Sequence, residues 1–216
     1  MSQNNGTLNL RVARIESVTP EIKRFTLVSP SGAHLPAFSG GSHVVVLVAN
    51  PDKTLRNPYS LLSSPYDTSS YQIAVRRVDS GRGGSVALHD NVNEGDLIEV
   101  TPPVNLFPLI KQARLHLFIA GGVGITPVIS QLEELRLSKV PFELHYAVRG
   151  EEHAQLGKEL QATYGEQVHL YRKGVESRME IGQILAGRPL GSHVYVCGPD
   201  SMIDATLACA RDLGWT

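Results

Sequence analysis

Four short stretches combine residue types able to do chemistry. The first is Gly121-Gly122-Val123-Gly124-Ile125-Thr126-Pro127, which follows the apolar run Leu115–Ala120. Glycines let backbone N–H groups approach a ligand closely, and a helix start favours an anion. The turn therefore suits the pyrophosphate of a dinucleotide. An ordinary glycine-rich connection fits the same residues, because the spacing is not G-x-G-x-x-G. The second stretch is Arg56-Asn57-Pro58-Tyr59-Ser60-Leu61 in an extended segment. It offers a forked cation for phosphate, an aromatic face, and a hydroxyl or backbone group for a ring nitrogen. A surface Arg beside a core Tyr is the plainer alternative. The third is Ser80-Gly81-Arg82-Gly83-Gly84-Ser85 ahead of Val86-Ala87-Leu88-His89, a second anion cradle or else a hairpin tip. Two Arg-bearing stretches in one half of the chain point to a phosphorylated cofactor. Ala74 and Val75, between them, could turn backbone groups to a ring edge.

The fourth stretch is Val196-Cys197-Gly198-Pro199-Asp200. Cys197 would stand at the carboxyl end of a strand, where ligands bind in open α/β sheets. A small buried residue closing a strand explains it equally well. No base accompanies Cys197 in the sequence, so it is not read as a nucleophile.

The elements that must hold these residues differ between the two halves. Leu8–Val18, Ile22–Val28, Ser42–Ala49, Tyr71–Val78 and Asp96–Thr101 are rich in β-branched residues and punctuated by Gly, Pro, Asn and Asp. They predict a small antiparallel barrel over residues 1–107. Beyond the Pro102–Lys111 connection, strands at Leu115–Ala120, Phe142–Val148, Val168–Tyr171 and His193–Cys197 alternate with helices. The helical stretches are Pro127–Leu137, Glu152–Tyr164, Ile181–Ala186 and Asp200–Leu213. That alternation predicts a parallel, doubly wound domain over residues 108–216. Thr126 is expected as the N-cap and Pro127 as the first helical residue, with Val128, Leu132 and Leu135 turned to the sheet.

The totals set limits. A chain of 216 residues with 42% hydrophobic and 19% charged residues can bury one or two cores. A formal net charge of −1 argues against a nucleic-acid or membrane binder. The start Met1–Thr7 has no basic end and no apolar run, so a cytoplasmic protein is expected. Two cysteines are too few for a disulfide scaffold or a four-cysteine cluster. The eight histidines show no ligand spacing, and no metal is expected.

Taken in order along the whole chain, the four stretches resemble the ferredoxin-reductase superfamily, most closely its phthalate dioxygenase reductase type. The resemblance implies a flavin-binding barrel followed by a nicotinamide-nucleotide domain. Arg56, Tyr59, Ser60 and Leu61 are similar to the flavin motif, with Ala74 and Val75 along the ring. Arg82, Gly83, Gly84 and Ser85 are similar to the loop that holds the FMN phosphate. Gly121, Gly122, Gly124, Thr126 and Pro127, with Cys197, Gly198 and Pro199, resemble the two nicotinamide-side motifs. One departure is the pair Asn57-Pro58, where many relatives have a single residue.

The resemblance further implies hydride transfer from NAD(P)H to FMN, with the nicotinamide over the flavin in the crevice between the domains. Ser60, Thr126 and Cys197 would border the reacting rings. Electrons would then pass singly to a ferredoxin-type domain or protein and on to a Rieske-type oxygenase acting on aromatic compounds. A free flavin reductase, a FAD enzyme and a non-catalytic flavin-binding subunit are the rival readings. Relatives usually add a ferredoxin domain with four cysteines. That set is not in this sequence, so no iron–sulfur cluster is expected on the chain. NADH is expected by family. Arg149 and the basic Tyr171-Arg172-Lys173 leave NADPH open.

Overall fold

The computed structural model describes residues 6–50, 53–175 and 178–216. The chain divides into two compact units. The first comprises Met1–Leu109 together with Ile129–Glu134, and the second comprises Ile110–Val128 with Leu135–Thr216.

The first unit holds β1 (Leu8–Thr19), β2 (Ile22–Val28), β3 (His43–Asn50), β4 (Lys53–Ser60), β5 (Ser70–Arg76), α1 (Gly84–Asp90) and β6 (Leu97–Val100). The strands are ordered β4-β3-β6-β1-β2-β5, and every pair is antiparallel. A bridge between Leu61 and Ile73 joins the two ends of that order, closing the sheet into a barrel. Closure follows from strict alternation: Phe25 and Leu27, Val44 and Val46, and Tyr71, Ile73 and Val75 all point into one core. Each such side chain contributes roughly 1.5–3 kcal/mol through burial. Leu88 of α1 belongs to the same core and Ala87 packs against it, so the short helix seats on the barrel through these two apolar residues. Strand β4 is ladder structure where the sequence suggested only an extended segment. Pro58 lacks an N–H, and its strand lies at an end of the sheet order, where a missing ladder bond is tolerated.

The second unit is a parallel sheet of β7 (Leu115–Gly121), β8 (Phe142–Val148), β9 (Val168–Arg172) and β10 (Ser192–Cys197), ordered β10-β7-β8-β9. Its helices are α2 (Thr126–Ser138), α3 (Gln155–Tyr164), α4 (Ile181–Leu185) and α5 (Asp200–Asp212). On one sheet face Leu117 and Ile119 pack with Ile184 and Leu185 of α4 and with Met202 and Cys209 of α5. On the other, His116, Phe118 and Tyr195 stack at centroid distances of 5.0–6.3 Å. There Gly157 brings α3 so near the sheet that an added Cβ would lie 2.5 Å from Leu170. Helices thus cover both faces, as a doubly wound sheet requires.

Val128, Leu132 and Leu135 of α2 are buried as the periodicity predicts. Ser130 and Gln131 are buried as well. Within the first unit, Gly41 N donates to Ser130 Oγ at 3.1 Å and Gln131 Nε2 donates to the Phe107 carbonyl at 2.6 Å. Thr126 is not the N-cap. Gly122–Ile125 already coil as a 3₁₀ turn, so Thr126 lies inside the helical run, and its hydroxyl donates to the Val123 carbonyl at 3.0 Å.

Candidate functional site

In the barrel, the residues expected at a flavin sit on β4, β5 and the loop leading into α1. Strand β4 pairs with β3 through Arg56 opposite Leu47, Asn57 opposite Val46 and Tyr59 opposite Val44. Side chains alternate along a strand, so Asn57 and Tyr59 share one face while exposed Arg56 lies on the other with Ser60. The structure therefore sets Arg56 and Tyr59 on opposite faces of β4. Asn57 lies beside the Ser80–Ser85 stretch: a Cβ on Gly84 would stand 2.6 Å from Asn57 Oδ1. Asn57 Oδ1 and the Tyr59 hydroxyl are buried and have no hydrogen-bond partner among the described residues. Burial pushes the Tyr59 hydroxyl above its ordinary pKa, opposed in part by the neighbouring Asn57 side chain. A polar ligand could satisfy these atoms beside a glycine that admits no side chain: Asn57 Oδ1 needs a donor, and the Tyr59 hydroxyl can donate. Residue identity singles out Arg56, and strand alternation adds Asn57 as a further candidate.

The loop Ser80–Ser85 is held at both ends. Arg77 donates to Asp79 at 2.7 Å and to Asp90 at 2.5 Å, so one guanidinium ties the loop's start to the end of α1. Ser85 Oγ accepts from Val78 N at 3.1 Å, which leaves its own proton to donate. Gly83 has φ 94°, a conformation that favours glycine. Arg82 is exposed, whereas Gly84 and Ser85 are buried. Ala74 and Val75 are buried on β5 beyond Leu61, and the Val75 carbonyl accepts from His89 Nε2 at 2.8 Å.

In the second unit the two expected nucleotide motifs come together backbone to backbone. A Cβ on Gly124 would lie 2.3 Å from the Cys197 carbonyl oxygen and 2.8 Å from Gly198 N. One on Gly121 would lie 2.8 Å from Pro199 Cδ and 2.9 Å from Met202 Cε. Gly122 is exposed at φ 54° with no atom within 4 Å of its Cβ direction. Its carbonyl accepts from the Tyr146 hydroxyl at 3.0 Å, which pins the turn while leaving it open to a ligand. Cys197 is half-buried, and burial pushes its thiol above the ordinary value. A protonated thiol is a poor nucleophile. Pro127 is buried in the first turn of α2, and Arg149 is exposed beyond β8. A cavity of about 550 Å³ opens beside these motifs, walled in part by Pro199 and Met202.

The histidines are less scattered than the sequence suggests. Parallel pairing sets His145 opposite His169, and each of Glu143, His145 and His169 offers a ligand atom within 4.8 Å of the others. The two rings stack at 4.6 Å with planes 15° apart. Parallel rings cannot aim their in-plane nitrogen lone pairs at one ion, and Glu143 is already bound by Arg188 Nη1 at 2.8 Å. This is a polar cluster on the sheet face. Burial and the neighbouring His169 lower the His145 pKa to about 4.

Comparison with known proteins agrees with this geometry. Residues 9–108 match the oxidoreductase FAD-binding domain family. Residues 97–216 match the N-terminal domain of dimethylamine monooxygenase subunit DmmA-like proteins. The carnitine monooxygenase reductase subunit of Escherichia coli (strain K12) is 49% identical over 205 residues, covering 94% of this chain and 64% of that protein. The heme-dependent oxidative N-demethylase beta subunit of Ectopseudomonas mendocina is 42% identical, covering 97% and 66%. Among solved structures, phthalate dioxygenase reductase, described as modular for electron transfer from pyridine nucleotides to a 2Fe–2S centre, superposes with a TM-score of 0.91. It is 33% identical and covers 99% of this chain and 66% of that one. The chain thus spans about two thirds of the length of these relatives. No helix among the described residues is long and apolar enough to cross a membrane. With its FAD-binding-type barrel, its DmmA-like second half and its likeness to phthalate dioxygenase reductase, the chain belongs to the phthalate dioxygenase reductase type of the ferredoxin-reductase superfamily of oxidoreductases.

Proposed function

We propose that this chain is the reductase part of an oxygenase system, taking hydride from a reduced pyridine nucleotide onto bound FMN and delivering single electrons to an iron–sulfur acceptor. The observation that carries this reading is the docking of the Gly121–Thr126 turn against Cys197–Pro199 at the carboxyl ends of a parallel sheet. Bound flavin supplies the exchange between a two-electron donor and a one-electron acceptor. The protein's residues bind, orient and exclude water. Gly121, Gly122 and Gly124 present backbone to the pyrophosphate, and the Thr126 hydroxyl stiffens that turn through Val123. Cys197 offers a protonated thiol as a compact, half-buried neighbour for the nicotinamide. No residue is required to carry a proton for hydride transfer.

On the flavin side, Ser85 donates its hydroxyl proton to the phosphate while its oxygen holds Val78 N, and Arg82 adds a forked cation. Asn57 and the Tyr59 hydroxyl supply buried polar atoms for contacts to the flavin. Ser60 and Leu61 lie at the end of β4, next to the bridge to Ile73. The Ser80–Ser85 loop supports a terminal monophosphate, hence FMN. FAD is the second reading, favoured by the description of the matched barrel domain. The relatives' names support an oxygenase or demethylase as the destination of the electrons, reached through a ferredoxin-type domain or protein.

The test is direct. Purified protein should stay yellow on dialysis, release FMN on denaturation, and reduce ferricyanide at the expense of NADH or NADPH. Colourless protein that reduces only added flavin would make it a free flavin reductase. Yellow protein inert to both nucleotides would make it a non-catalytic flavin-binding subunit.

A further inference from the structure

Helix α1 seats on the barrel through Leu88 and Ala87, yet the residue that follows Leu88 is a buried histidine. An apolar side chain of similar size would fill the same space without burying a polar ring, so the bonds of His89 decide what it does there. His89 Nε2 lies 2.8 Å from the Val75 carbonyl oxygen. A carbonyl only accepts, so Nε2 carries the proton and donates. The backbone carbonyl of His89 in turn accepts from Lys23 Nζ at 2.7 Å, and Lys23 stands opposite Val75 in the β2–β5 ladder. The next residue, Asp90, is bound by Arg77. These contacts hold the imidazole against one peptide of β5.

That peptide joins the Val75 carbonyl to the Arg76 N–H, and its two ends point opposite ways. Arg77 N donates to the Glu21 carbonyl at 2.8 Å, on the β2 side. Gln72 N donates to Ser63 Oγ at 3.2 Å and the Gln72 carbonyl accepts from Leu62 N at 2.9 Å, on the other side. The register between β2 and β5 is unbroken from Ser70 to Arg76. Backbone direction therefore alternates along β5, and the Arg76 N–H faces away from β2, as that of Gln72 does. Strand β5 ends the sheet order, and its bridge on that side lies earlier, between Leu61 and Ile73. The Arg76 N–H thus opens beside Ala74 and Val75, the residues read as flanking the flavin ring. A hydrogen bond to the carbonyl of a peptide strengthens the donor at its other end.

We propose that His89 is a positioning residue for the flavin: by holding the Val75 carbonyl it orients and polarises the Val75–Arg76 peptide, whose N–H donates to the edge of the bound ring. The inference rests on the flavin-binding reading above and adds to it a residue outside the phosphate loop. A donor at the ring edge stabilises the electron-rich reduced flavin over the oxidised one. His89 acts through that peptide and touches no ligand itself.

The test loads the full chain with FMN and, separately, with riboflavin, which has no phosphate. It compares the wild type with His89→Phe, which fills the site without a donor, and with His89→Gln, which restores one. His89→Phe should weaken both ligands by the same factor, about three- to ten-fold in fluorescence titrations, the scale of a neutral hydrogen bond. Its bound FMN should show a shifted visible band and a lower midpoint potential in dye equilibration, and His89→Gln should recover both. If the phenylalanine variant does not fold, His89→Asn, polar but too short to reach Val75, takes its place. An unchanged spectrum and potential overturn the proposal, even with a lower thermal midpoint, because a purely structural histidine behaves that way. A loss of FMN affinity with riboflavin unaffected also overturns it, since the effect would then lie at the phosphate loop. Wild-type protein that binds neither flavin removes the flavin reading and this inference with it, whereas wild-type binding with indifferent variants removes this inference alone.

Discussion

Gly124→Ala is the substitution with the clearest expected outcome. Its Cβ would lie 2.3 Å from the Cys197 carbonyl oxygen, 2.6 Å from the carbonyl carbon and 2.8 Å from Gly198 N. Those distances fall about 1 Å or more short of ordinary contact. All three atoms are backbone, so no side-chain rotation relieves the clash; the 3₁₀ turn after β7 and the end of β10 must move apart. Overpacking of this kind costs about 1–3 kcal/mol, and a backbone collision belongs at the upper end. Two neighbouring glycines serve as controls. Gly121→Ala meets Pro199 Cδ and the Met202 side chain at 2.8–3.1 Å, and the methionine can yield, so about 1 kcal/mol is expected. Gly122→Ala meets nothing within 4 Å, and its φ of 54° leaves only the left-handed penalty, about 1 kcal/mol. Urea unfolding followed by fluorescence of the single tryptophan, Trp215, reads the second unit, whose apolar cluster it packs against. The reasoning is refuted if Gly124→Ala unfolds within about 0.5 kcal/mol of the wild type, or if Gly122→Ala is the more damaging change.

Three further outcomes follow from the same geometry. Burial lowers the pKa values of His116 and His145 to about 4, below the ordinary 6.5. The unfolded chain therefore takes up protons first as pH falls, and stability should drop between pH 6.5 and pH 4, by at most about 3 kcal/mol per ring. His116→Phe, between Phe118 and Tyr195, should flatten that acid limb in urea midpoints measured across the range, and an unchanged limb would contradict the assignment. Asn57→Ala should weaken flavin binding by about 1 kcal/mol in fluorescence-quenching titrations, while Arg56→Ala leaves it nearly unaltered; the reverse order would restore Arg56 to the phosphate. Arg82→Ala should cost about 1.5–3 kcal/mol of flavin affinity, and an unchanged dissociation constant would remove Arg82 from the site.

Much of this architecture was legible because the two halves obey different periods. Alternation in Ile22–Val28 and Tyr71–Val75 predicts strands that close a core, and the spacing of Val128, Leu132 and Leu135 predicts the buried stripe of α2. The misses have local causes. Strand β4 was not marked as ladder structure because Asn57 and Pro58 are poor strand formers, and the closing bridge from Leu61 lies just beyond it. Thr126 looked like an N-cap because Gly122–Ile125 gave no sign of coiling as a 3₁₀ turn. Strand alternation, which residue type alone does not show, sets Arg56 on the face of Ser60 and Asn57 on the face of Tyr59. The pairing of His145 with His169 depends on the register between β8 and β9, which no local spacing encodes. Nor could the sequence order the cations near residue 172: only the geometry ties Arg172 to Glu151.

The central claim is that this chain moves reducing equivalents from a pyridine nucleotide to a bound flavin. The measurement that addresses it most directly is rapid anaerobic mixing of the flavin-loaded protein with NADPH and, in parallel, with NADH, followed at the visible flavin band. Full bleaching within the mixing experiment is expected with at least one of the two nucleotides. A flavin that stays oxidised with both nucleotides would contradict the account.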